Sequence, residues 1–292
     1  MHPLSNRRKD GFDESSRPGL VHTAVRNRIP LAQKCNDAFN KRVRRYLVLC
    51  LALCLLASCV SAPPHNPLAV WIPSRNYNAR QPSMIVLHYT QESSAQEALD
   101  TLRTRNSGGP VSAHYLIGKD GTIYQLVSEE ERAWHAGTSE WGVTEDVNSR
   151  SIGIEIDNDG ASPFSQAEIN SLLRLLTDIT TRLGIPRTAI VGHADIAPTR
   201  KDDPGVWFPW SELAAYGFGL WYDAGPLPDP PPGFDPMVAL RLIGYDLTDP
   251  AAAIVAYHRH YRASTQPQLD AGDLRILWNL QGRLMRMGVG DK

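Results

Sequence analysis

Three short apolar runs, each broken or ended by a polar residue, constrain this chain most: Met84-Ile85-Val86-Leu87-His88, Ile152-Gly153-Ile154-Glu155-Ile156 and Ala189-Ile190-Val191-Gly192-His193. They are too short for stable helices, so they read as buried strands. Buried strands need cover, and the sequence supplies it. Ser165 with Glu168 matches a capping box, and Ile169, Leu172, Leu173, Leu176, Ile179 and Leu183 form one apolar stripe that Gly184 closes. Ser94 to Arg105 has helical spacing at Ala95, Ala98, Leu99 and Leu102. Residues 113–118 and 122–127 flank Lys119-Asp120-Gly121, whose Asp-Gly pair signals a hairpin. Residues 83–224 are therefore expected to form an α/β domain, a mixed central β-sheet flanked by helices.

The flanking segments read differently. Residues 225–236 are a stiff proline-rich linker, Gly-Pro-Leu-Pro-Asp-Pro-Pro-Pro-Gly-Phe-Asp-Pro. Helical patterns follow over 235–243, 250–262 and 270–287, so residues 237–292 are expected to make a small all-α module. So few residues bury little surface of their own, and the module should lean on the main domain. Upstream, residues 60–82 contain Pro63, Pro64, Pro67, Pro73 and Pro82 without periodicity, which reads as an extended tether.

Residues 1–59 read as a leader and signal segment. Lys41-Arg42-Val43-Arg44-Arg45 precedes an apolar run from Tyr46 to Ala57. Spanning a bilayer takes roughly 20 residues, more than this run offers. A basic region before a short apolar core is the pattern of a secretory signal. Leu56-Ala57-Ser58-Cys59 resembles the bacterial lipoprotein cleavage motif, which implies lipid, palmitate included, on Cys59. Val60 rather than Asp follows, which in Gram-negative lipoproteins favours the outer membrane. The four cysteines, Cys35, Cys50, Cys54 and Cys59, all lie in this segment. The body thus has no disulfide framework, and a metal there must use His, Asp or Glu. Residues 1–59 carry 11 Lys/Arg against 4 Asp/Glu, and the remainder 19 against 27. So acidic a body offers no surface for phosphates, which argues against a nucleic-acid partner.

His88 and His193 end apolar runs and Asp203 lies in the loop beyond, positions that place side chains at the rim of a rigid sheet. Two imidazoles and a carboxylate suit Zn²⁺, and three protein ligands leave a fourth position open, as catalytic sites require. On residue types alone this is weak, because a histidine after a strand is usually an ordinary hydrogen-bonded residue. Asp202 also competes with Asp203. Glu155 adds weight. Alternation points Ile152, Ile154 and Ile156 to one face and Gly153, Glu155 and Asp157 to the other. Burying a mid-strand carboxylate is costly and needs a reason. A salt bridge or an exposed sheet face would serve, and so would a general base beside a metal.

The segments MIVLHYT (84–90), SAHYLIGKDGTIYQLV (112–127), AWHAG (133–137), SIGIEIDN (151–158) and VGHADIAPTRKDDPG (191–205) together resemble the type-2 N-acetylmuramoyl-L-alanine amidases, in order, over residues 84–212. The lipoprotein signal, linker and C-terminal helices are similar to the AmiD-type lipoprotein amidases, and the helices look like a peptidoglycan-binding module. The resemblance implies a fold shared with peptidoglycan recognition proteins. It implies one zinc ion per chain on His88, His193 and Asp203, with Glu155 as the catalytic carboxylate. It implies that Lys201 stabilises an oxyanion, where new negative charge develops. His114, Trp134 and His135 fall in the same motifs and read as substrate-binding residues of the cleft. Trp141, in the polar loop 138–150, either caps the groove or anchors the loop.

The implied activity is hydrolysis of the amide between N-acetylmuramic acid and L-alanine in peptidoglycan or muropeptides. The implied setting is the cell envelope, with a monomer held to the periplasmic face of the outer membrane by lipid on Cys59. Recognition-type relatives have lost zinc ligands, whereas all three positions are filled here, which favours an enzyme. In cells fed labelled palmitate the full chain should take up label and the Cys59→Ser variant should not. Equal labelling of both would contradict the motif.

Overall fold

The computed structural model describes residues 39–40, 43–46, 65–79 and 82–290. Cys59 and most of the basic and apolar signal segment lie outside them. The chain divides between Ser61 and Ala62, and the architecture below is that of the second unit. Among the described residues no helix is long and apolar enough to cross a membrane.

The second unit opens with strands β1 (Val70–Trp71), β2 (Tyr77–Ala79) and β3 (Met84–Tyr89), then helix α1 (Ala95–Arg103). A hairpin of β4 (Tyr115–Ile117) and β5 (Ile123–Gln125) leads to β6 (Glu131–Ala133), the one-turn α2 (Val147–Arg150) and β7 (Ser151–Ile156). The long α3 (Gln166–Leu183), β8 (Ile190–Gly192), the one-turn α4 (His193–Ile196) and α5 (Trp210–Ala215) complete the main domain. The sheet order is β1-β5-β4-β7-β3-β8, parallel throughout except for the β4–β5 hairpin. This is the mixed sheet expected from the apolar runs.

Both faces of the sheet are covered, as strands so apolar require. On one face Ile152, Ile154 and Ile156 join Ile85, Leu87 and Ile117 under α3, which contributes Ile169, Leu172, Leu175, Leu176 and Ile179. On the other face Leu116, Leu126 and Val127 pack against Ala98, Leu99 and Leu102 of α1. Helix α3 starts and stops where its local chemistry dictates. Ser165 and Glu168 form the reciprocal capping box, and Gly184 takes the left-handed conformation at φ 66°. The Ser165 hydroxyl also donates to the Lys119 carbonyl at 2.8 Å, tying the helix to the hairpin turn.

The segment that reads as a tether is partly paired. Val70–Trp71 runs parallel to Tyr124–Gln125, and Tyr77–Ala79 pairs antiparallel with Glu131–Ala133. Edge pairing needs only backbone groups, so it leaves no side-chain periodicity to read, and Pro67 and Pro73 fall outside the paired residues.

Three helices follow the linker: α6 (Pro236–Ile243), α7 (Pro250–Arg262) and α8 (Ala271–Gly290). Asp235 and Asp249 cap α6 and α7, each followed by proline at the first helical position. Their apolar faces do not close on themselves. Leu240, Tyr257, Leu277 and Leu280 share one core with Ala194 and Leu220 of the main domain.

Ser165→Ala removes one cap hydrogen bond and the tie to the turn, and should cost about 1 kcal/mol. Urea unfolding reads this as a lower midpoint, and an unchanged midpoint would show that the box does not stabilise α3.

Candidate metal centre and active-site cleft

Parallel strands deliver their C-terminal ends to one place, where ligands collect in sheets of this kind. In the β3–β7 pair, His88 lies opposite Glu155. On the other side of β3, β8 ends at Gly192 and His193 opens α4 directly. The loop after α4 returns so that the Ala194 N–H donates to the Asp203 carbonyl at 2.8 Å.

These elements bring three donor atoms together. His88 Nδ1 lies 2.9 Å from His193 Nδ1 and 3.0 Å from Asp203 Oδ2, and His193 Nδ1 lies 3.1 Å from Asp203 Oδ2. All three residues are buried. Tetrahedral zinc with bonds of about 2.0–2.1 Å sets its ligands roughly 3.3 Å apart, close to this triangle.

The surrounding hydrogen bonds set the tautomers. His193 Nε2 faces the Ala136 carbonyl at 3.1 Å, so Nε2 carries a proton, and in the neutral tautomer Nδ1 is bare. The Ser151 hydroxyl donates to the Val147 carbonyl at 2.6 Å, and so accepts from His135 Nε2 at 3.2 Å. His135 Nδ1 is thereby left to accept from His88 Nε2 at 3.1 Å, and His88 Nδ1 is bare as well. Two lone pairs and a carboxylate oxygen thus converge on one point. A cation, or a shared proton in its absence, must hold such a group together. The residues fit a zinc ion.

The electrostatics agree. Burial, and then His193 beside it, pushes the His88 pKa down to about 4, which keeps the ring neutral. Burial opposes charge on Asp203, but a proton shared with His193 and His88, in the place a cation would take, outweighs it and holds the carboxyl well below its usual range. Glu155 is half-buried by its surface, yet its Oε2 is closed to solvent and has no hydrogen-bond partner. Burial, and then the charge of Asp203, raises its pKa well above the ordinary carboxyl range, with Lys201 acting the other way. A carboxyl with a raised pKa suits both proton acceptance and donation near neutrality.

Glu155, Lys201 and the donor triangle share one cleft of about 650 Å³, with Tyr89 and Trp134 on its walls. Asp202 lines the same cleft but accepts the Tyr89 hydroxyl at 2.8 Å and stands outside the triangle. The choice between the two neighbouring aspartates falls to Asp203.

His114 and His135 sit differently from the substrate-contact positions expected of them, and of the two readings of Trp141 the structure favours the anchor. His114 lies behind the cleft wall, not on it. It is fully buried, accepts the Gly153 N–H at 2.9 Å and donates to the Glu131 carbonyl at 3.0 Å. His135 lines the cleft, but both ring nitrogens are engaged by His88 and Ser151, so it orients the His88 ring. Trp141 anchors its loop, edge-on to Tyr245 with ring centroids 5.1 Å apart. Ser151 and Asn148, which accepts the His135 and Ala136 N–H groups, went unnoticed in the sequence. Gly153 was the visible signal. A Cβ there would come within 2.4 Å of the His135 ring, so only glycine lets that ring lie against β7.

Comparison with known proteins places this site in a family. The profile of the N-acetylmuramoyl-L-alanine amidases matches residues 78–206, which span the donor triangle, Glu155 and Lys201. N-acetylmuramoyl-L-alanine amidase AmiD of Escherichia coli is 38% identical over 213 residues, 61% of this chain and 74% of that protein. The structure of that enzyme with anhydro-N-acetylmuramic acid-L-Ala-D-γ-Glu-L-Lys superposes with a TM-score of 0.60 at 36% identity, covering 70% of this chain and 91% of that one. AmpDh3 of Pseudomonas aeruginosa superposes with a TM-score of 0.61 at 31% identity, covering 77% of this chain and 97% of that one. The chain belongs to the type-2 N-acetylmuramoyl-L-alanine amidase family.

Proposed function

We propose that this chain is a zinc-dependent N-acetylmuramoyl-L-alanine amidase, cleaving the amide between N-acetylmuramic acid and L-alanine in peptidoglycan or muropeptides. The observation that carries this reading is one cleft holding three convergent donors beside a carboxyl group whose Oε2 is closed to solvent and has no hydrogen-bond partner. His88, His193 and Asp203 would hold the ion. Bound zinc supplies Lewis acidity, which makes water a better nucleophile and a carbonyl a better electrophile. Glu155 takes a proton at Oε2 from the water that attacks the lactyl carbonyl carbon. As the new C–O bond forms, charge collects on the carbonyl oxygen, and the Lys201 ammonium offsets it. Glu155 then gives its proton to the alanine nitrogen as the C–N bond breaks. The products are a muramic acid carboxylate and a peptide with a free amino terminus. The substrate held by the E. coli relative, a muramyl peptide, supports the choice of bond. Trp134 on the cleft wall is the residue we assign to substrate contact. Anchoring at the cell envelope through lipid on Cys59 is part of the proposal and rests on the Leu-Ala-Ser-Cys motif.

Mass spectrometry of a defined muropeptide digest tests the reading. Release of a peptide beginning with L-alanine from intact muramic acid is expected, and no cleavage by zinc-loaded protein would overturn it. Glu155→Gln should lower turnover about 10²–10⁴-fold and Lys201→Met about 10²–10³-fold, with zinc still bound. Undiminished turnover in either variant would remove that residue from the mechanism.

Glu155→Gln should also stabilise the fold. The folded-state pKa is raised above the ordinary 4.5, so the stability this group lends at low pH is lost as pH rises above that value. At pH 7 the variant should gain about 0.5–2 kcal/mol, the usual return from relieving a functional site. The gain should vanish in acid, and a variant less stable than the parent at pH 7 would contradict the buried-carboxylate account.

A further inference from the structure

Helix α4 is a single turn, His193–Ile196, and presents His193 at its first position. A helix this short is not held by its own hydrogen bonds. It is held through Asp195. One carboxyl oxygen of Asp195 accepts the Gly192 N–H at 2.7 Å, closing the turn from within. The other two donors come from far along the chain. The Tyr245 hydroxyl donates to Oδ1 at 2.7 Å, and His260 Nδ1 donates to Oδ2 at 2.7 Å.

Asp195, Tyr245 and His260 are all buried, so these bonds to a charged acceptor are shielded from water. Both donors sit in the C-terminal module, Tyr245 just after α6 and His260 on α7. Each is itself fixed. The His260 ring stacks on Trp210, centroids 3.7 Å apart, and Tyr245 meets Trp141 edge-on at 5.1 Å. The Trp141 loop adds a further tie, with Glu140 N–H donating to the Ile196 carbonyl at 2.9 Å and Gly142 N–H to the Gly244 carbonyl at 2.8 Å. Neither Tyr245 nor His260 lines the cleft.

We propose that Tyr245 and His260 are positioning residues of the metal centre: through Asp195 they fix the one-turn helix that presents His193, so metal affinity depends on the C-terminal module. The proposal rests on the metal reading of the His88–His193–Asp203 triangle. Zinc tolerates little displacement of its ligands, and groups that orient ligands govern affinity without touching the ion. A module that served only to bind the cell wall would need no hydrogen bond to the residue two places from a metal ligand.

The test is zinc affinity of the full chain, measured by competition with a chromogenic chelator. Tyr245→Phe removes one hydroxyl, and His260→Leu removes the donor. Each should weaken zinc binding about 10- to 100-fold. His260→Asn keeps an N–H near the Nδ1 position and should recover most of the loss. Leu277→Ala, in the buried core of the same module, should lower the melting temperature yet leave zinc affinity at the parent value. If His260→Leu does not fold, Tyr245→Phe decides the question, since it removes a single oxygen. Parent-like zinc binding in the folded Asp195-contact variants would overturn the proposal. Equal weakening in Leu277→Ala would overturn it too, by reducing the effect to general destabilisation. A parent chain that binds no zinc would overturn the metal reading and this proposal together.

Discussion

Three acceptor atoms held about 3 Å apart in a buried site repel one another, and much of the structure around the cleft answers that repulsion. The cost is met by rigidity. His88 is locked through His135 and Ser151 to the Val147 carbonyl, and His193 is locked to the Ala136 carbonyl. Each link consumes a donor, so the lone pairs that remain all face inward. Glu155 adds a second cost, a carboxyl group near Asp203 whose Oε2 is closed to solvent without a hydrogen-bond partner. A fold that selected for stability alone would replace it. Its retention on a strand of isoleucines is intelligible where a proton must be taken and returned.

The sheet makes this affordable. Parallel β3, β7 and β8 bring His88, Glu155 and His193 to one edge without a long loop to order. Because β7 alternates, the same six residues serve two ends: three isoleucines anchor α3, and Gly153 and Glu155 face the site. Gly153 has no side chain because the His135 ring occupies that space. Glu155 and the glycine that makes room for the His135 ring thus come from alternate positions on one strand.

Local signals carried most of the architecture into the sequence. Helix α3 was legible because its capping box, stripe and terminal glycine lie within one segment, and the Asp-Gly hairpin likewise. His88, His193 and Glu155 were legible as polar interruptions of apolar runs, and the family resemblance singled out Asp203 over Asp202. Long-range geometry was not legible. Nothing near Asp195 announces donors 50 and 65 residues away. β1 and β2 join their sheets by backbone pairing over two and three residues, too few to show a periodicity. His114 was misplaced because belonging to a motif does not say on which side of a wall a ring lies. Its two nitrogens brace backbone, a role that only coordinates reveal.

The hydrogen bonds that set the ring tautomers leave Nδ1 of His88, Nδ1 of His193 and Oδ2 of Asp203 as the atoms that would hold zinc. Anomalous diffraction at the zinc edge from crystals of zinc-loaded protein tests it most directly. The account requires a single strong peak inside the triangle, bonded to those three atoms with one position open to solvent. A peak bonded through Nε2 of either histidine, a fourth protein ligand, or no peak in the triangle would contradict it.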